Sequence, residues 1–166
     1  MNRIRPSIVL LVLLALGASS VAQDLDRNLE PLRPLVGREW QGSLASPGGG
    51  AAWPTTCRFT PVLQGKALKY EFSTPQIADH AEGYFYWDAA EKTIAVFILH
   101  SSGVFKKATV GLVDGLLTVS GRIVFPERSF DFRNSYEFRS DGTMVDRWYQ
   151  NAFGSWRQGH EIVFAR

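Results

Sequence analysis

From residue 38 to the C-terminus, apolar and polar side chains alternate with a period of two, in runs separated by turn residues. Alternation of that kind puts successive side chains on opposite faces of a strand. Ten strands are predicted, near 38–44, 55–63, 66–73, 80–88, 92–100, 103–112, 115–125, 128–139, 143–151 and 155–165. The clearest is 128–139: Phe130, Phe132, Tyr136 and Phe138 fall on one face, and Asp131, Arg133, Glu137 and Arg139 on the other. In 115–125, Leu117, Val119, Ile123 and Phe125 oppose Thr118, Ser120 and Arg122. Gln64-Gly65, Asp88 to Glu91, Ser101-Ser102-Gly103, Asp114-Gly115, Pro126-Glu127 and Asp141-Gly142 are the turn signals. A two-residue turn at Asp114-Gly115 sets Val110 and Leu112 opposite Val119 and Leu117 and keeps that apolar surface continuous. The last hairpin but one has two registers. A two-residue turn at Asp141-Gly142 faces Phe138 with Val145 and turns Trp148 away from the apolar side. A three-residue loop that includes Ser140 faces Phe138 with Met144 and turns Trp148 inward.

Only residues 23–37 carry another pattern. Leu29, Leu32, Leu35 and Val36 recur at helical spacing, interrupted by Pro31 and Pro34 and ended by Gly37, so a short helical turn or two is predicted there. Ten consecutive strands with short turns and no crossover helix form an antiparallel meander. Closing the meander into an up-and-down barrel removes both exposed edges. A barrel of that size leaves room for a small ligand, and the 13% aromatic content supplies apolar lining. A barrel filled by those aromatics is the other outcome.

The first 22 residues are of a different kind. Arg3 and Arg5 precede the apolar run Ile8–Gly17, and Ser20-Val21-Ala22 offers small residues for cleavage before Gln23. This is the layout of a secretory signal peptide. It predicts a mature domain from residue 23 to 166, exported to the periplasm or secreted and without stable membrane insertion. Ten apolar residues are too few to span a bilayer as a helix. The chain has 166 residues with 18 Lys+Arg against 16 Asp+Glu, and both excess cations lie in that segment. The rest is neutral, which speaks against a nucleic-acid partner. With a single cysteine, Cys57, an internal disulfide and a cysteine-cluster metal site are ruled out. Cys57 reads as a small buried apolar residue, or as half of a bond between chains after export.

Two segments carry a resemblance. Leu32-Arg33-Pro34-Leu35-Val36-Gly37-Arg38-Glu39-Trp40-Gln41-Gly42 resembles the L-x-x-L-x-G-x-W opening of calycin-type barrels, with two residues rather than one between Gly37 and Trp40. The end, Glu161-Ile162-Val163-Phe164-Ala165-Arg166, resembles the closing strand of a lipocalin-like group of exported bacterial proteins known only as a domain of unknown function. The resemblance implies a calycin-like barrel in which Trp40 closes the base and Arg166 lies over its ring. It implies no reaction. More distantly the chain resembles nitrobindin-like haem barrels, which implies His160 as a haem ligand in place of a cofactor-free protein.

No nucleophile elbow, catalytic cysteine or metal-site spacing is present, so no catalytic or metal residue is assigned. The spacing of Asp79, His80 and Glu82 is not diagnostic of an acid–base set, since adjacent strand residues such as Asp79 and His80 point to opposite faces. Residues with an apolar body and one polar tip suit a mostly greasy pocket. Tyr70, Tyr86, His100, Trp148 and His160 are therefore the candidate ligand contacts. His160 shares strand parity with Trp156, Ile162 and Phe164. The expected function is binding of a small, mostly apolar molecule. The alternatives are an isomerase- or cyclase-type enzyme on a lipid-like substrate, using an acid or base such as His100, and haem binding through His160.

Overall fold

A computed structural model of the protein describes residues 24–46, 49–152 and 154–165. The expected export segment therefore lies outside the described residues, and so does Arg166.

Ten antiparallel strands run in chain order through one sheet: β1 (Glu39–Leu44), β2 (Trp53–Val62), β3 (Ala67–Thr74), β4 (Asp79–Asp88), β5 (Thr93–His100), β6 (Phe105–Val113), β7 (Leu116–Val124), β8 (Ser129–Phe138), β9 (Met144–Ala152) and β10 (Ser155–Phe164). The all-β antiparallel barrel read from the alternation is the fold of the molecule. Its first and last strands meet at Gln41 and Ala165, which exchange two backbone hydrogen bonds of 3.0 and 2.8 Å. The strands approach closely enough that a Cβ on Gly42 would sit 2.7 Å from the Ile162 side chain and 2.9 Å from the Val163 carbonyl oxygen. Only glycine fits beside the seam.

Before β1, Arg27–Leu35 forms a 3₁₀ helix. Pro31 and Pro34 disfavour an α-helix here, because in that geometry each ring crowds the carbonyl four residues back. Asp26 caps it, accepting from the Asn28 backbone N–H, while its carboxylate also pairs with Lys66 at 2.6 Å. The helix seals one end of the barrel with Leu29, Leu32 and Leu35, all fully buried. Trp40 lies beneath it. Its indole Nε1 donates to the Leu35 carbonyl at 3.1 Å, and its ring meets Phe138 at 6.4 Å between centroids. Among the described residues the cation over the Trp40 face is Arg38, 5.0 Å from the ring centroid.

The registers settle the hairpins. Leu112 pairs with Leu117 and Val110 with Val119, as a two-residue turn at Asp114-Gly115 requires. The continuous apolar surface expected there stops short, however: Leu112 is 71% exposed. Arg139 N–H donates to the Thr143 carbonyl and Phe138 pairs with Met144, so Ser140-Asp141-Gly142 is the three-residue loop. Trp148 consequently points inward.

The closed half of the lumen is filled with buried apolar side chains: Phe59, Phe85, Leu68, Met144, Ile162 and Phe164 are each at most 1% exposed. On the outside, cross-strand ion pairs hold the wet face, as at Arg147, which reaches Glu137 and Glu161 at 2.7 Å each. Among the described residues, no helix is long and apolar enough to cross a membrane.

Trp40→Ala removes the largest side chain at the sealed end. The expected loss is about 3–5 kcal/mol of unfolding free energy, typical of an aromatic deleted from a core. Urea denaturation followed by circular dichroism checks it.

Candidate functional site

Away from the helical seal, the lumen holds a cavity of about 460 Å³. Its rim is Ile77-Ala78 between β3 and β4, Ser101-Ser102 between β5 and β6, and Phe125 after β7. Its wall combines Val104, Ile123 and Phe125 with polar groups carried inward by five strands: Asp79 on β4, His100 on β5, Lys106 on β6, Trp148 on β9 and His160 on β10.

Three of the five expected contacts come together here. His100 pairs with Ala81 across the sheet, on the inward side of β5 with Ile94, Val96 and Ile98. Trp148 and His160 face each other across β9 and β10 and stack at 5.6 Å with their rings 14° apart. A β-bulge between Gln158 and His160 makes that meeting possible. At its centre is Gly159, where a Cβ would lie 2.2 Å from the Trp148 ring, so the indole rests directly on bare backbone. The bulge also shifts the phase of β10. Trp156 does not share the inward face of His160, Ile162 and Phe164; it is 45% exposed and lies under the Arg133 guanidinium at 4.8 Å.

The other two expected contacts lie elsewhere. Tyr70 does point into the barrel, but it packs with Phe59 at 5.1 Å and Phe85 at 6.4 Å as part of the aromatic filling. Tyr86 is on the outer face of β4, against Phe97 at 6.4 Å in an outside cleft with Phe105. The inward side chains of β4 are Asp79, Ala81, Phe85 and Trp87, so strand parity puts Tyr86 outside the lumen. His80, on that same outer parity, is exposed.

Sequence reasoning missed the charged groups of the lumen. Asp146 is buried and accepts from Asn134 Nδ2 at 2.7 Å. Burial pushes its carboxyl up to about 6, although the Asn134 hydrogen bond and the charge of Lys106 pull the other way. Burial lowers the Lys106 ammonium, opposed by the charges of Asp146 and Asp79. Lys106 has no ion pair or hydrogen bond among the described residues and lies over the Phe132 ring at 5.6 Å from its centroid. Burial likewise brings His160 down to about 4, helped by Lys106, so the imidazole is neutral near pH 7. Tyr70 and Tyr136 are held well above the usual phenol range by burial, and burial raises the Cys57 thiol, which keeps it protonated and inert.

At the rim, Asp79 and His100 form a pair, Oδ1 to Nδ1 3.1 Å. The hydrogen bond from His100 is the main cause that holds the Asp79 carboxyl below its ordinary value. A carboxylate can only accept, so Nδ1 carries the hydrogen and Nε2 is left turned away from Asp79. His100 Nε2 and Trp148 Nε1 are buried with no hydrogen-bond partner among the described residues. The signal that could have found these groups is a polar residue at an inward position. Asn134 interrupts the apolar face Phe130, Phe132, Tyr136 and Phe138; Asp146 lies between Met144 and Trp148. Among the described residues, no group of three or more His, Cys, Asp or Glu side chains is placed to hold a metal ion.

Asp146 and His160 give stability opposite dependences on pH. The folded carboxyl of Asp146 titrates above its ordinary 3.8, so its stabilising contribution is complete below that value and lost as pH rises through about 6. The folded imidazole of His160 titrates below its ordinary 6.5, so its contribution is complete above that value and lost as pH falls through about 4. Relative to the parent protein, Asp146→Asn is expected to gain stability as pH rises across this window, and His160→Gln as pH falls. Each gain is on the order of 2–3 kcal/mol at its favourable end. Urea denaturation over a pH series measures both; pH-independent offsets would mean that neither group is desolvated.

No protein-family model matches the chain, and no curated protein matches its sequence. Among solved structures it is similar to the crystal structure of Rv2717c from M. tuberculosis, with a TM-score of 0.55 at 16% sequence identity, covering 86% of this chain and 99% of that one. Similarity at this identity shows a shared fold and nothing about ligand or activity.

Proposed function

We propose that the protein binds a small, mostly apolar molecule in the cavity at the open end of the barrel, and that it does so after export, in the periplasm or as a secreted protein. The observation that carries this reading is the cavity itself: about 460 Å³, with Val104, Ile123, Phe125 and the Trp148–His160 stack in its wall, and with His100 Nε2 and Trp148 Nε1 of two lining residues buried and unpartnered among the described residues. A volume in the range of about 300–1,000 Å³, apolar walls and a few convergent polar groups are the ordinary attributes of a small-molecule site.

A second reading rests on the Asp79–His100 pair. A carboxylate that fixes the imidazole tautomer leaves Nε2 as a base or, once protonated, as an acid facing a bound molecule. That is the minimum apparatus for a proton transfer such as an isomerisation.

Native mass spectrometry and titration with the neutral fluorescent probe N-phenylnaphthylamine test the binding reading. Val104→Trp projects an indole into the cavity and is expected to weaken probe binding at least about tenfold while the far-ultraviolet circular dichroism of the barrel persists. Equal binding by the filled variant would place the ligand elsewhere. A Soret band on addition of haemin, lost in His160→Ala, would instead assign haem. Turnover of an unsaturated carbonyl substrate that disappears in His100→Gln would assign chemistry.

A further inference from the structure

Lys106 is half-buried, and an ammonium turned into a pocket without an ion-pair partner is costly where a methionine would pack. Lys106 lines the cavity, is coupled to Asp146 and Asp79 through space, and yet makes no ion pair with either among the described residues. Two residues of the same wall carry buried polar atoms with no hydrogen-bond partner among the described residues, Trp148 Nε1 and His100 Nε2. The indole N–H can only donate, as can the ammonium. A donor withdrawn from water without an acceptor loses hydration that nothing replaces, and the loss is greater for a charged group. Three strands, β5, β6 and β9, thus bring unused hydrogen-bonding capacity to one enclosure, and two of the three atoms are obligate donors.

The chemistry of a molecule that would relieve this is restricted. A neutral apolar ligand leaves the ammonium unpaired. A cation adds to the problem. A dianion meets the Asp79 carboxylate on the same wall. A monoanion with several acceptor lone pairs on one small head group satisfies both donors at once, and the carboxylate is the compact oxygen acid of that description. The apolar remainder of the ligand then lies on Ile123, Phe125 and Val104.

Resting on the binding reading above, we propose that the cavity is a site for monocarboxylic acids with a compact apolar body, whose head group accepts from Lys106 Nζ and Trp148 Nε1. Lys106 is then retained for recognition at the expense of stability, a trade common at binding sites.

Displacement of N-phenylnaphthylamine by decanoate, decanol and decylamine tests this, since the three share a chain and differ in head group. The wild-type protein is expected to bind decanoate at least about tenfold more tightly than decanol, with decylamine weakest. Lys106→Met brings the decanoate-to-decanol ratio close to one and raises the unfolding temperature, because an apolar side chain replaces an unpaired charge. Trp148→Phe, which keeps a ring on Gly159 and removes only the donor, lowers the ratio by about threefold or more and decides the matter should Lys106→Met fail to fold. Decanol bound as tightly as decanoate, or a preference that survives both substitutions, overturns the carboxylate assignment while leaving the binding reading in place. Failure of the probe and of all three compounds to bind overturns both.

Discussion

Closure of the sheet at Gln41 and Ala165 is the constraint on which the other features depend. Two backbone hydrogen bonds join β1 to β10, and Gly42 beside them leaves no room for a side chain. An open ten-stranded sheet would keep one face in water. Closing it turns every second residue of each strand into a wall of one narrow space from which water is largely excluded. Apolar side chains gain from that space. Ionisable ones are penalised by it, and the penalty is what drives Asp146 up to about 6 and His160 down to about 4.

The lumen is divided along its axis. At the sealed end, the 3₁₀ helix, Trp40, Phe59 of β2, Phe85 of β4 and Phe164 of β10 fill the interior. At the open end the filling stops, and polar side chains from β4, β5, β6, β9 and β10 replace it around a cavity. The two ends ask different things of a sequence. The first is satisfied by any well-packed set of apolar groups. The second holds unpartnered polar atoms and a charge without an ion-pair partner, an arrangement that packing alone would not favour.

Two backbone details shape the wall of that cavity. The three-residue loop at Ser140-Asp141-Gly142 sets the phase of β9, so Met144, Asp146 and Trp148 face inward. The bulge at Gly159 resets the phase of β10, so His160 faces Trp148 and Trp156 turns outward. One extra residue in either place would exchange the inner and outer faces of a whole strand.

Alternation and turn residues are local properties, and from them the ten strands, the N-terminal helical turn, the Asp114-Gly115 register and the barrel itself could be read in the sequence. The inward orientation of His100 and His160 was within reach of the same parity, because each lies on a strand with a clear apolar face. Parity ran out where the backbone slips: the loop before β9 admitted two registers, and the Gly159 bulge leaves no mark in the alternation. The assembly of Lys106, Trp148, His160 and the Asp79–His100 pair belonged to the tertiary structure alone. These residues come from strands far apart in the chain, each looks unremarkable in its own strand, and only the closure of the sheet places them around one desolvated space, where an isolated polar residue becomes a site.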